Sequence, residues 1–333
     1  MNLKNKINFS LWCDFIERDF LQNEFKDILE SKIIHGATSN PAIFEQSFKT
    51  SDAYAQQISM LQNNNSKKIY EELAITDIKT AATIMNNLHE DLSDSGFISI
   101  EVDPALCDDA MGTIEEGARL YSEIAHSNIM IKVPATSAGY VAMENLTAMG
   151  INVNATLVFS VEQAIACTKA LDKGIKKSNK NTQAVVSIFV SRFDRTLDSK
   201  LKSLSIPTGQ TGILNATKCY HEIEKINNSN IRTLFASTGV KGDELVQSYY
   251  IDKLIYPNSI NTAPLATIKA YMKNENFNIV ENIPSIQECD QYFETLFKNG
   301  IDIKKVSQTL LNDGLDSFKV SFKNMLKKLK LEN

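Results

Sequence analysis

The stretch Asn128-Ile129-Met130-Ile131-Lys132-Val133-Pro134-Ala135-Thr136, NIMIKVPAT, poses the question on which the fold turns. Residues two apart in a strand share a face, so Ile129, Ile131 and Val133 lie on one side and Met130 and Lys132 on the other. The run reads as a buried strand, yet it carries a lysine. An ammonium is strongly hydrated and is almost never fully buried unless it is paired or used.

Working outward, the same alternation recurs. In FISIEVD (97–103) Ile98, Ile100 and Val102 oppose Phe97, Ser99, Glu101 and Asp103. In INVNATLVF (151–159) Ile151, Val153, Ala155 and Leu157 oppose Asn152, Asn154 and Thr156. Further strand-like runs are FSLWCDF (9–15), IIHGATS (33–39), AVVSIFVS (184–191), RTLFAST (232–238) and DKLIYPN (252–258), each followed by a helix-like stretch. Eight runs separated by helices predict parallel βαβ units closed into an α/β (β/α)8 TIM barrel. A doubly wound sheet is the rival, but neither glycine-rich phosphate loop occurs. Ser160 with Gln163 predicts a capping box, Ser137 a helix start and Gly150 that helix's end. Extra helices are expected in about 50–92 and through 262–333, interrupted at Asn299-Gly300, and no linker divides the chain, so one domain over 1–333 is expected.

In a parallel barrel the outer face packs on helices and is apolar, which turns Glu101, Lys132, Asn154 and Thr156 inward. Barrel interiors are normally filled with aliphatic side chains; polar groups there are expected at the C-terminal mouth, where such barrels carry their sites. Each residue also has a plainer reading. Lys132 and Glu101 can be an interior salt bridge, Asp14 a strand-end cap, Asn40 before Pro41 a turn initiator, and Arg192 a solvated loop residue. Their joint placement favours chemistry. A lysine among apolar walls loses its proton readily and becomes an amine nucleophile toward a carbonyl. The protonated imine then serves as an electron sink for carbon–carbon cleavage. Carboxylates move the protons, and no cofactor is required.

Composition bounds the rest. The 333 residues are 43% hydrophobic and 23% charged, with a net charge of −5 and no long basic block, which speaks against nucleic-acid or membrane-surface partners. Cys13, Cys107, Cys167, Cys219 and Cys289 are scattered, as free thiols in a reducing compartment would be. The four histidines never stand at ligand spacing, so no metal is expected. The opening MNLKNKINFSLWCDF reads as neither signal peptide nor membrane span, which makes the cytoplasm the expected location. The lysine-rich SFKNMLKKLKLEN at the end reads as a helix with a solvated face.

Six motifs in order, GATSNPAIF (36–44), IEVDP (100–104), IKVPAT (131–136), INVNATLVFS (151–160), SIFVSRFD (187–194) and ASTGVK (236–241), resemble those of the transaldolases of the longer bacterial type, Schiff-base enzymes that carry extra helices. The resemblance is densest between Trp12 and Pro264. It implies Lys132 as the Schiff-base nucleophile, Asp14 as the acid–base for the C4 hydroxyl, and Glu101 with Thr156 as holders of the catalytic water. Asn40, Asn154 and Ser187 would contact the sugar, Arg192 would grip its phosphate, and Ser237 would assist. Many members carry a second arginine where this chain has Gly239, so Lys241 is the expected substitute, although a surface lysine is the simpler reading. The implied reaction moves a dihydroxyacetone unit from sedoheptulose 7-phosphate to glyceraldehyde 3-phosphate in the non-oxidative pentose phosphate pathway. Phe189 stands where related fructose 6-phosphate aldolases carry a proton-donating tyrosine, which favours transfer over release. The alternatives are such an aldolase, or a non-catalytic sugar-phosphate-binding barrel. The expected partners are sugar phosphates, and the chain is expected to be a monomer or small homo-oligomer.

Overall fold

The computed structural model describes residues 3–273 and 279–331. Eight parallel strands close into a barrel in sequence order. They are β1 (Ser10–Cys13), β2 (Ile34–Thr38), β3 (Phe97–Glu101), β4 (Ile129–Pro134), β5 (Val153–Val158), β6 (Ala184–Phe189), β7 (Ile231–Ala236) and β8 (Ser259–Ala263). Every strand residue is buried, because helices cover the outside and side chains fill the inside. Ile98, Ile100, Ile129, Ile131, Val133, Val153 and Ala155 join the outer core beneath the helices, as their alternation predicts. Inside, Trp12, Phe97, Met130, Val185, Leu234 and Ile260 form a separate apolar layer. It lies below the polar groups, so the cavity above has a packed floor.

Two strands differ from the expected pattern. The eighth strand is not 252–258 but the following Ser259–Ala263. Leu254, Ile255 and Tyr256 are buried in turns against the outer core, and their hydrophobicity imitates a strand. The true strand, SINTA, carries polar residues on its outer side. Asn261 is satisfied there by accepting from the Thr238 hydroxyl at 2.9 Å, and Ser259 by donating to the Tyr256 carbonyl at 2.8 Å. Leu157 belongs to the inner cluster, not the outer face. The register shifts between Ala155 and Val158, and Leu157 takes a left-handed φ of 57°, which reverses its side.

The helix ends follow local chemistry. Ser160 and Gln163 form the expected capping box, and Gly150, at φ 79°, follows its helix's last turn. The cap of the helix Ser137–Ala148 is Thr136 instead of Ser137; its hydroxyl accepts from the Gly139 amide at 3.0 Å. Between β2 and β3 stand the added helices Pro41–Thr50, Ala55–Leu61, Ser66–Ile84 and Asn86–Asp91. The region 262–331 is less helical than expected. β8 occupies its start, and residues 279–285 lie outside any helix before Ile286–Lys298 and Ile303–Leu331; part of the expected helical stretch, 274–278, lies outside the described residues.

The helix Ile303–Leu331 is not merely a solvated, lysine-rich rod. Leu310 and Phe318 enter the cluster holding Phe159, Phe189 and Phe193, at the rim of the barrel mouth. Farther along, Phe322 meets the Tyr70 ring edge-on at 5.0 Å, and Met325 and Leu329 are buried in the outer core. No helix among the described residues is long and apolar enough to cross a membrane.

The floor depends on a missing side chain. A Cβ at Gly36 would lie 2.6 Å from Trp12 Cε2, and Trp12 is fully enclosed. Gly36→Ala is therefore expected to cost about 1–3 kcal/mol of stability through overpacking, seen as a lower urea midpoint. An unchanged midpoint would mean that the barrel floor tolerates a shifted indole.

Candidate active site

The strand register assembles the centre. Glu101 pairs laterally with Lys132, Lys132 with Asn154, and Pro134 with Thr156. Lys132 is 5% exposed and Glu101 6%, and their Nζ and Oε2 atoms are 3.8 Å apart. The ammonium donates to the Ser39 carbonyl at 3.0 Å, and Ser39 is fixed in turn by donating its hydroxyl to the Ser99 carbonyl at 2.8 Å. The walls around the nitrogen are thus carboxyl and carbonyl groups as much as apolar ones, which departs from the expected apolar shelter.

Asp14 follows the last residue of β1, and its backbone amide donates to the Ala263 carbonyl at 2.9 Å, which anchors it at the mouth. Its carboxylate accepts from the Thr38 hydroxyl at 2.6 Å, and Thr38 shares a hydrogen bond of 2.7 Å with Thr262. Burial pushes the Asp14 carboxyl up, with the Lys132 charge and the Thr38 hydrogen bond pulling it down. Burial also raises Glu101, to about 7; Lys132 opposes that shift and Asp14 adds to it. The two raised acids thus share one cation in a largely buried space.

Asn154 is locked between two hydroxyls, donating to Ser99 at 3.0 Å and accepting from Ser187 at 2.6 Å. Among the described residues Thr156 Oγ1 and Glu101 Oε2 are buried without a hydrogen-bond partner, so both remain available to a water or a substrate hydroxyl. Asn40 lines the cavity, and its side chain also caps the helix Pro41–Thr50 by accepting from the Ile43 amide at 3.0 Å. The plain structural reading of Asn40 is therefore true as well, and its amide N–H₂ is the part left for a ligand.

Above these residues opens a cavity of about 380 Å³ reached by Asp14, Thr38, Asn40, Lys132, Thr156 and Ser187 at its base. Arg192, Arg195, Ser237, Lys241 and Gln247 line it farther out, together with Ser317 and Phe318 of the C-terminal helix. Arg192 is half-buried near the start of the helix Ser191–Ser203, with its guanidinium 5.1 Å from the Phe189 ring centroid and 5.9 Å from that of Phe159. Ser237 is held at a left-handed φ of 55°, its carbonyl accepting from the Ser191 amide at 3.0 Å. Glu101 and Asn154, although absent from the lining itself, stand directly behind Lys132 and Ser187. All ten candidates converge on one end of the barrel. The reading of the sequence missed Thr38, Thr262 and Arg195; Arg195 alone had a signal, its spacing of three from Arg192 in SRFDR.

A family model described as Transaldolase/Fructose-6-phosphate aldolase matches residues 11–329. The chain belongs to that family. A Campylobacter jejuni protein named Transaldolase is 46% identical over 97% of this chain and 99% of its own length. A Helicobacter pylori protein of the same name is 42% identical, over 96% and 98% respectively. The solved fructose-bisphosphate aldolase of Campylobacter jejuni covers 99% of this chain and 90% of its own, at 11% identity and a TM-score of 0.41, too distant to carry an argument.

The elevated Glu101 carboxyl has a consequence for stability. Between its ordinary value of 4.5 and about 7 the unfolded chain has lost this proton while the folded chain keeps it. Stability therefore falls as pH rises through that window. Asp14 shifts in the same direction, so Glu101→Gln isolates the contribution of Glu101. Relative to wild type, the variant is expected to gain about 1–3 kcal/mol between pH about 4 and about 8, read from urea midpoints. Parallel pH profiles would show that Glu101 is ionised throughout.

Proposed function

We propose that this protein is a transaldolase transferring a dihydroxyacetone unit from sedoheptulose 7-phosphate to glyceraldehyde 3-phosphate, in the non-oxidative pentose phosphate pathway. The observation that carries the reading is Lys132 Nζ inside the closed barrel, 3.8 Å from Glu101 and electrostatically coupled to Asp14, in a chain of this family. The protein is a transferase on this reading, its ligands are sugar phosphates, and its location is the cytoplasm.

The chemistry follows from these groups. The Lys132 amine attacks the C2 carbonyl of the ketose, and the carbinolamine loses water to give the iminium. Glu101 protonates the departing hydroxyl, and Glu101 with Thr156, each with a free buried oxygen, holds the water so formed. Asp14 then takes the C4-hydroxyl proton. The C3–C4 bond breaks, its electron pair moves into the iminium to give an enamine, and the aldose phosphate leaves. An incoming aldehyde meets the enamine carbon, the new bond forms, and Asp14 returns its proton to the new hydroxyl. Hydrolysis through Glu101 and its water frees the product. Asn154, fixed by Ser99 and Ser187, and the Asn40 amide orient the hydroxyls of the three-carbon unit. Arg192 takes the phosphate, and Ser237 supports that end of the cavity.

Phe189 bears on transfer against release. Its ring faces the cavity and backs the Arg192 guanidinium, and it has no hydroxyl with which to protonate the enamine. A fructose 6-phosphate aldolase remains the competing assignment within the family. Fructose 6-phosphate is expected to be consumed only when erythrose 4-phosphate is added; consumption without acceptor would make the protein a lyase.

Borohydride added with fructose 6-phosphate is expected to increase the mass of the peptide containing Lys132 by a reduced three-carbon unit or the whole sugar. Lys132→Ala is expected to abolish both the adduct and turnover while its far-UV spectrum stays native. Binding without an adduct would leave a non-catalytic sugar-phosphate-binding barrel, and a turning-over alanine variant would remove Lys132 from the reaction.

A further inference from the structure

We propose that Arg195 supplies the second cation of the phosphate-binding end of this cavity, forming with Arg192 a clamp across one turn of the helix Ser191–Ser203. The inference rests on the reading of the cavity as a sugar-phosphate site and adds the residue that completes it.

Position 239 has no room for the second arginine expected there. A Cβ on Gly239 would lie 2.9 Å from Pro264 Cγ and 3.4 Å from its Cδ, so a larger side chain requires the loop after β7 to move. Arg195 stands on the other wall, three residues after Arg192, and both line the cavity. Residues three apart are neighbours on a helix face, so the two guanidiniums repel one another. Among the described residues neither forms a hydrogen bond or an ion pair; Asp313 of the C-terminal helix attracts Arg192 only from a distance.

Acids that could neutralise the pair are present on the same helix but are held elsewhere. Asp194 accepts from the Gly212 amide at 3.0 Å and the Tyr250 hydroxyl at 2.9 Å. Asp198 accepts from the Gly209 amide at 3.0 and 3.1 Å. Val190, just before the helix, provides no side-chain cap, and the Ser191 amide is taken by the Ser237 carbonyl at 3.0 Å, so positive charge at this end comes from the arginines and not from the helix start. Gly314 completes the arrangement. A Cβ there would lie 3.0 Å from Leu157 Cδ2 and 3.3 Å from Arg192 Nη1, so the glycine lets the C-terminal helix close over the clamp without displacing it. Two unpaired arginines and a hydroxyl from Ser191 or Ser237 make a dianion site with bidentate donors. Lys241 lines the cavity from an exposed loop position and offers only a point charge.

The test compares phosphorylated and unphosphorylated ligands on the full-length protein. Inorganic phosphate and fructose 6-phosphate are titrated calorimetrically into wild type, Arg195→Ala, Arg195→Lys, Lys241→Ala and Lys202→Ala. Borohydride trapping of dihydroxyacetone at Lys132 is run in parallel. Arg195→Ala is expected to weaken both phosphate ligands about 10- to 100-fold and to raise KM with little change in kcat. Dihydroxyacetone trapping is expected to persist in this variant, and Arg195→Lys to recover part of the loss. Lys202→Ala, which removes an exposed charge from the same helix, is expected to bind like wild type. Unchanged phosphate affinity in Arg195→Ala, an equal loss for dihydroxyacetone, or a larger loss in Lys241→Ala would each overturn the clamp. If wild type traps nothing at Lys132, the catalytic reading falls, and the phosphate titrations still decide the clamp.

Discussion

The charge balance of a largely buried space constrains everything else in this protein. Lys132, Glu101 and Asp14 share the upper interior of a closed barrel, where little water reaches them except through the cavity above. Alone, each would be too costly to bury; together, the ammonium offsets one carboxylate and leaves the second acid free to hold a proton. The same imbalance that costs stability supplies proton donors and acceptors near neutral pH. The threonine pair Thr38 and Thr262, the Ser39 carbonyl and the Asn154–Ser187 bridge hold the groups in place, so the polar interior is a connected network built on a packed floor.

The outer end of the cavity works by a different arrangement. There the cations are left without carboxylate partners, because backbone amides and a tyrosine hydroxyl occupy the neighbouring acids. Phe159 and Phe189 support one guanidinium by its face, and the C-terminal helix closes that side with Gly314 against Leu157 and Arg192, where a side chain would be tight. The cavity thus has proton-exchanging groups at its base and unneutralised positive charge at its rim.

Much of this was legible in the residues. The outward Ile and Val of β3, β4 and β5 lie where strict alternation puts them, and the inward Glu101, Lys132, Asn154 and Thr156 follow from the same period. Alternation failed where another rule governed the backbone. Leu157 changes side at a bulge, and the polar outer face of β8 is satisfied by loop partners, Thr238 and the adjacent Tyr256 carbonyl, while the apolar 254–256 segment imitates a strand. The placement of Thr38 and Thr262 was hidden, since a threonine has no signature until its neighbours are known, and Arg195 offered only its spacing from Arg192.

By itself the sequence determined the periodicity, hence the parallel strands with covered outer faces, and the residue types that must sit inside them; covalent order and side-chain direction are local properties. Only the tertiary structure decided that β1 and β8 meet, which brings Asp14 and Thr262 round to β2 and to the ammonium on β4. Likewise, only folding brings residue 314 against Arg192 and Pro264 against Gly239. Closure of the ring and packing of the last helix are long-range events. Their electrostatic and steric consequences depend on distances between segments that no local pattern encodes.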